Sequence, residues 1–205
     1  MSRIIFLNGC SSAGKTTLAV KLQQLLPEPY QHIALDQFRD GMPMRVRGLN
    51  SPPGTPGASG LNIVPGEKDG IGVTSIEFGE YGEKVLAGMR RSIAAFQNME
   101  TNVIVDDVLF KQSYLDDYVR VLNPATTWFI GVHCPLDVVN AREATRIGRF
   151  PGTATAHYEQ VHAHGGYYDL EVDTSLKSPR ASAQEIIARL DSPPQAFAQM
   201  QAVRS

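Results

Sequence analysis

The chain has 205 residues, 42% of them hydrophobic and 20% charged, a balance that suits a soluble globular fold with a substantial core. Its formal net charge of -2 excludes bulk, sequence-independent nucleic-acid binding, which needs a basic surface. Two cysteines, Cys10 and Cys134, are too few for a disulfide framework and lack metal-ligand spacing, and no apolar run reaches the length of a membrane span. The expectation is a single domain over residues 1–205, cytoplasmic, with no nucleic-acid or membrane partner. Both cysteines follow strand-like runs, and reduced thiols are expected ahead of a regulatory disulfide.

The apolar run Ile4-Ile5-Phe6-Leu7 predicts a first strand. Gly9-Cys10-Ser11-Ser12-Ala13-Gly14-Lys15-Thr16 follows, in the pattern G-x-x-x-x-G-K-T, and a helix-favouring run over residues 15–26 comes next. Strand, spacing and helix start together give the context of the phosphate-cradling loop of P-loop NTPases. Glycines let successive N–H groups turn inward toward an anion, and the positive end of the helix faces the phosphates. Lys15 would reach the β- and γ-phosphates and the Thr16 hydroxyl would ligate Mg²⁺, with Thr17 beside it at the nucleotide site.

Pro27 and Pro29 end this helix, and His32-Ile33-Ala34-Leu35 predicts a second strand ending at Asp36. There Asp36 either takes a proton from an acceptor hydroxyl or caps the short helical turn predicted before Pro43. Residues 45–73 are crowded with proline and glycine and cannot form one regular element. They predict a surface excursion, a substrate-side hairpin or flap ahead of a neutral insertion, with Arg45 and Arg47 at its entrance read as solvated arginines ahead of holders of an anionic substrate. A helix is expected over residues 79–99, with Val85, Leu86, Met89, Ile93 and Phe96 on one face.

Asn102-Val103-Ile104-Val105-Asp106-Asp107-Val108 predicts a buried strand ending in two carboxylates, as a Walker B strand does. Strand alternation points Asp106 and Asp107 to opposite faces, so one suits the metal and the other the acceptor. An amphipathic helix follows over residues 112–122, then a β-rich strand over residues 126–134. Pro135 opens a further helix through Leu136, Val139 and Arg142. That helix is interrupted at residues 146–149, and the chain turns at Pro151-Gly152. A second helix is expected from Thr153 through Tyr158 and Val161, ending at Gly165-Gly166. Tyr168-Asp169-Leu170-Glu171-Val172-Asp173 alternates as an edge strand does, and residues 182–190 form the last clear helix. The residues beyond Pro193-Pro194 are expected to add a short turn or fray.

Alternating strands and helices imply an α/β fold with a largely parallel sheet, whose ligands bind beyond the carboxyl ends of the strands. The P-loop, Asp36, Asp106-Asp107 and Cys134 therefore converge on one rim. Arg142, Arg146 and Arg149 form a dense cluster just after the fourth strand. Guanidinium groups bind phosphate oxygens bidentately, so a lid over about residues 140–155 could carry them across the nucleotide. His157, His162 and His164 follow no metal-ligand spacing and are expected on the surface. Asp173-Thr174-Ser175 suits a loop near the adenine or an ordinary turn.

With these residues placed, the sequence resembles the chloramphenicol phosphotransferase-like family of small P-loop kinases. The resemblance rests on residues 6–16, on Leu35-Asp36-Gln37-Phe38 with Gly41-Met42-Pro43, on Ile104-Val105-Asp106-Asp107-Val108, on Gly131-Val132-His133-Cys134 leading into residues 141–149, and on residues 168–174. It implies a P-loop kinase fold, a three-layer sandwich around a five-stranded, largely parallel sheet with an arginine-bearing lid. It further implies ATP and Mg²⁺ as cofactors, a small-molecule hydroxyl such as that of chloramphenicol as acceptor, Asp36 as base, and Arg142 and Arg146 as lid residues. The Gly/Pro-rich segment at about 46–72 is longer than the family's usual one. Two further readings are a metabolic or toxin-type kinase acting on a sugar nucleotide and a nucleotide-binding switch that hydrolyses ATP slowly.

Overall fold

The computed structural model describes residues 2–148, 150–164 and 167–204. Its first half comprises β1 (Ile4–Asn8), α1 (Lys15–Leu25), β2 (Tyr30–Ala34), α2 (Leu35–Asp40), β3 (Arg47–Leu49), the single turn α3 (Pro56–Ser59), β4 (Leu61–Lys68), β5 (Ile71–Phe78) and α4 (Glu80–Asn98). The second half comprises β6 (Asn102–Asp107), α5 (Gln112–Val121), β7 (Thr127–His133), α6 (Leu136–Ala144), α7 (Thr153–His157), β8 (Leu170–Asp173), α8 (Pro179–Arg189) and α9 (Ala196–Arg204).

Five strands form one sheet in the order β2-β6-β1-β7-β8, and every pairing is parallel. A parallel sheet needs helical crossovers, which cover both faces, so its strands read as continuous apolar runs. The residues Ile4, Ile5, Phe6 and Leu7 of the central strand are fully buried. Alternation divides them between two cores. Ile5 and Leu7 meet Leu18 and Leu22 of α1 and Ile186 of α8. Ile4 and Phe6 meet Leu86, Met89 and Ile93 of α4, Leu115 and Tyr118 of α5, and Phe197 of α9. The expected α/β fold with a five-stranded parallel sheet is what the chain forms.

Three local expectations are corrected. The second strand stops at Ala34, two residues short of Asp36, because Leu35 already starts α2. Asp36 therefore lies in the first turn of that helix, and the cap position falls to Ala34, whose N–H donates to Gln37 Oε1 at 3.0 Å. On α4, Phe96 faces outward at 38% exposure, while Gln97 is buried and donates to Thr126 Oγ1 at 3.0 Å. The C-terminal segment is not a frayed turn: α9 packs Phe197 and Met200 into the second core.

The Gly/Pro-rich excursion folds as a separate three-stranded sheet in the order β3-β4-β5. Strands β4 and β5 form the expected hairpin, closed by Asp69 and Gly70 at φ 53° and 78°. Two consecutive positive φ values give the turn whose twist matches a hairpin, and Asp-Gly adopts them readily. Pro65 sits within β4 but beyond Ile63, the last residue paired with β3, where a missing donor is tolerated. The Gly165-Gly166 helix stop falls outside the described residues.

Candidate active site

The phosphate loop starts where β1 ends, and its backbone is fixed by close packing. A Cβ on Gly9 would lie 2.4 Å from the carbonyl oxygen of Val132, so only glycine fits between β1 and β7. Ser12 and Gly14 take positive φ, 62° and 96°, which curls the loop into the N-terminus of α1. Lys15 is 6% exposed and folds back over this curl, donating to the carbonyls of Gly9 at 2.9 Å and Cys10 at 3.0 Å.

Strand β6 delivers Asp106 to the same point. Its carboxylate accepts from Thr16 Oγ1 at 2.6 Å and lies 3.8 Å from Lys15 Nζ and 3.6 Å from His32 Nε2. Burial alone would raise the Asp106 pKa, but the Lys15 ammonium, the His32 ring and the Thr16 hydroxyl outweigh it and hold the carboxyl below its ordinary range. Asp106 is therefore a buried anion beside a hydroxyl. That hard-oxygen pair fits Mg²⁺, which takes few protein ligands and shares the rest with phosphate and water.

Asp107 is not brought to this group. Pleating turns it to the other face, where it is 3% exposed and accepts from Tyr118 Oη and its own neighbour's Val108 N–H, each at 2.7 Å. Burial pushes its pKa up to about 6, against the lowering effect of those hydrogen bonds. The structure thus places only Asp106 of the pair with Thr16.

Of the two described arginines of the cluster, Arg146 bonds the loop directly and Arg142 through Thr174. Arg142, on α6, donates to Thr174 Oγ1 at 3.0 Å, to the Thr174 carbonyl at 2.9 Å and to Cys134 Sγ at 3.3 Å. Thr174 in turn donates to the Ala13 carbonyl at 2.6 Å, so the turn after β8 is stitched to the phosphate loop. Arg146 Nη1 donates to Ser12 Oγ at 3.3 Å. Arg149 lies outside the described residues. Cys10 and Cys134 are buried free thiols, and burial foremost pushes Cys10 up to about 11 despite Lys15 nearby, which keeps it protonated and unreactive.

One cavity of about 590 Å³ joins these groups. Lys15, Thr16 and Asp106 line it, Lys15 and Thr16 just past the middle strand β1, and so do Arg142, Lys177 and Thr174, the last just past the edge strand β8. Asp36 and Arg39 of α2, which follows β2 at the opposite edge of the sheet, line it as well, as do Ile76 of β5, Val108 and Phe110. Arg39 is bonded to Asp36 at 2.8 Å and to Asp40 at 2.8 Å. Neither Arg45 nor Arg47 is among its lining residues. The excursion therefore contributes to this wall through Ile76.

The histidines are not on the surface. His157 is 4% exposed and its Nε2 accepts the Ser11 N–H at 3.1 Å. His164 is 8% exposed and shares Tyr168 Oη with His162 and Asn8, the buried last residue of β1. Burial, followed by its neighbours His133 and His164, pushes His162 down to about 3, so the ring stays neutral. Among the described residues no group of three or more His, Cys, Asp or Glu side chains is arranged to hold a metal. His32, His157 and Thr174 thus join the site. A lone histidine in a strand and one on a short helix carry no signal of that in sequence, because each contact is made across the fold.

Comparison with known proteins agrees with this geometry. Residues 2–191 match the family model described as chloramphenicol phosphotransferase-like protein. The chain belongs to this family. A "Putative O-phosphotransferase" of Mycobacterium tuberculosis strain H37Rv is 32% identical over 186 residues, covering 90% of this chain and 80% of that protein. An unliganded sugar kinase from Janibacter sp. HTCC2649 shares the fold with TM-score 0.62 at 17% identity, covering 93% of this chain and 95% of that one. An APS kinase of M. tuberculosis, in complex with AMPPNP and APS, does so with TM-score 0.60 at 15% identity, covering 93% and 98%. This family member is a P-loop phosphotransferase, an ATP-dependent kinase acting on a small molecule. No helix among the described residues is long and apolar enough to cross a membrane.

Proposed function

We propose that the chain is a cytoplasmic kinase that transfers the γ-phosphate of ATP to a hydroxyl of a small natural product, an antibiotic such as chloramphenicol or a related compound. The observation that carries this reading is the shared cavity, lined by Lys15, Thr16, Asp106, Asp36 and Arg142 together, with α2 and Asp36 following the edge strand β2 and Arg142 bonded to Thr174 past the opposite edge strand β8. Phosphoryl transfer needs charge neutralisation, in-line positioning and a group to take the nucleophile's proton. Thr16 and Asp106 would hold Mg²⁺, which neutralises phosphate charge when bound. The cradle of Gly9, Cys10, Ser11, Ser12, Ala13, Gly14 and Thr17 would bind the β-phosphate end through loop N–H groups other than that of Ser11, which donates to His157. Lys15 would exchange its two carbonyl partners for phosphate oxygens. A lid over residues 140–155 would bring Arg142, bonded to Thr174, and Arg146, bonded to Ser12, against the phosphates.

Asp36 would accept the hydroxyl proton as the oxygen attacks phosphorus and the bond to ADP breaks. The same cavity carries apolar lining from Leu35, Ile76, Val108 and Phe110, which would face the acceptor. The arginine beside Asp36, Arg39, is already bonded to Asp36 and Asp40. This favours a largely uncharged acceptor with an apolar body over a sugar nucleotide, whose phosphates require free cations. The base on the acceptor side likewise favours transfer over a switch. Incubating the protein with γ-labelled ATP, Mg²⁺ and a panel of hydroxylated natural products, read by mass spectrometry, tests the reading. A labelled phosphomonoester of one panel member supports it. Labelled inorganic phosphate alone with every member points to the switch.

A further inference from the structure

The strongest unassigned feature is the imidazole of His157. It stands on α7, 146 residues from its partner in sequence, yet accepts a backbone N–H of the phosphate loop. The ring is clamped edge-on against Phe110, centroids 5.1 Å apart at 83°, and it lines the same cavity as Lys15 and Asp36. Its helix is itself fixed at both ends of the lid segment. Glu143 of α6, 5% exposed, accepts the Ala154 N–H at 3.0 Å and so caps α7. Thr74 of β5 donates through Oγ1 to the Pro151 carbonyl at 2.8 Å, and Lys68 of β4 pairs with Glu159 at 2.8 Å. Gly152 packs so closely on β5 that a Cβ there would lie 2.8 Å from the Gly72 carbonyl. The acceptor-side hairpin, α7 and the phosphate loop are thus joined in one chain of contacts, and His157 makes the last link.

We propose that His157 is a positioning residue: as a neutral imidazole accepting through Nε2, it holds Ser11 so that the phosphate loop keeps a fixed place relative to the hairpin wall. An acceptor at this position is what the loop requires, because Ser11 is 9% exposed and a buried N–H without a partner is costly. The inference rests on the proposed kinase reading for its consequence in catalysis, but the hydrogen bond itself is tested without nucleotide.

Two variants separate the ring from its acceptor. His157→Phe keeps an aromatic ring against Phe110 and removes the acceptor, whereas His157→Gln keeps an acceptor oxygen near the Nε2 position. Hydrogen–deuterium exchange of the nucleotide-free full chain is followed at the Ser11 amide. We expect exchange about ten-fold faster in His157→Phe, and within about three-fold of wild type in His157→Gln, the size of one net hydrogen bond. The dissociation constant for MgATP should rise about ten-fold in the phenylalanine variant and be rescued by glutamine. Wild-type exchange at Ser11 in His157→Phe overturns the inference, as does a rise spread evenly over the chain, which marks general destabilisation. A wild-type measurement needs no variant: nitrogen chemical shifts of the His157 ring should show the proton on Nδ1, and a proton on Nε2 overturns the assignment. A wild-type protein that binds no MgATP contradicts the proposed function, while the Ser11 exchange still decides the role of His157.

Discussion

At the scale of single residues, Asp106 and Asp107 show how one peptide bond separates two chemistries. Asp106 is stabilised as an anion by Lys15 and Thr16, while Asp107 is buried on the other face beside Tyr118, where burial raises its pKa to about 6. A carboxyl whose folded pKa exceeds its unfolded value stabilises the fold below the unfolded pKa, and that contribution is lost as pH rises through the folded one. The window here runs from 3.8 to about 6, and it amounts to roughly 3 kcal/mol. Asp107→Asn removes this titration. Chemical denaturation at pH 4 and pH 7 should therefore show the variant gaining roughly that amount on wild type between the two values. Lys15→Ala should reduce transfer about a hundred-fold or more, since no other ammonium is held over the loop among the described residues. Steady-state kinetics with the identified acceptor measures it.

At the scale of elements, the site depends on where helices begin. Asp36 reaches the cavity from the first turn of α2, held by Arg39 one turn later. Arg142 reaches Thr174 from the last turn of α6, and Thr174 is bonded to the phosphate loop at Ala13. Arg142→Ala should lower transfer about a hundred-fold while leaving the fold intact, checked by kinetics beside circular dichroism. The joint between hairpin and lid can be tested separately. Thr74→Val keeps the shape of the side chain and loses the hydrogen bond to Pro151, which should cost about 1 kcal/mol of stability. Gly152→Ala adds the Cβ that would meet the Gly72 carbonyl at a left-handed position with φ 76°, and thermal denaturation should show a larger loss. Much of this scale was legible in the chain. The phosphate loop, the parallel strands and the arginine cluster each carry a local pattern. Asp69-Gly70 also announces the hairpin turn within the Gly/Pro-rich segment, although the surrounding prolines mask the two strands it joins. The start of α2 was misplaced because Ile33, Ala34 and Leu35 fit a strand end and a helix start equally well by pattern alone.

At the scale of the whole molecule, the sheet order β2-β6-β1-β7-β8 gathers residues from distant parts of the chain onto one rim. The α/β class with its parallel sheet was readable because strand and helix periods alternate along the sequence; the strand order was not. The side-chain partners were not, because contacts such as His157 with Ser11, or Thr174 with Ala13, join segments more than a hundred residues apart and leave no local periodicity. The same reasoning explains why the histidines seemed exposed: their burial comes from β1, β7 and the hairpin, not from their own helix. One cavity is lined by both the phosphate loop and Asp36, and the proposed function has nucleotide and acceptor share it. MgATP at a hundred-fold excess over its dissociation constant should stabilise the fold by about 2.7 kcal/mol, read as a rise in unfolding temperature.

The central claim is that Asp36 completes a transfer site with the phosphate loop, and phosphate transfer from labelled ATP to the identified acceptor by wild type and Asp36→Asn tests it most directly. The account predicts that the variant binds MgATP as wild type does and forms the phosphorylated acceptor about a hundred-fold or more slowly. Formation of that product by Asp36→Asn at the wild-type rate would contradict it.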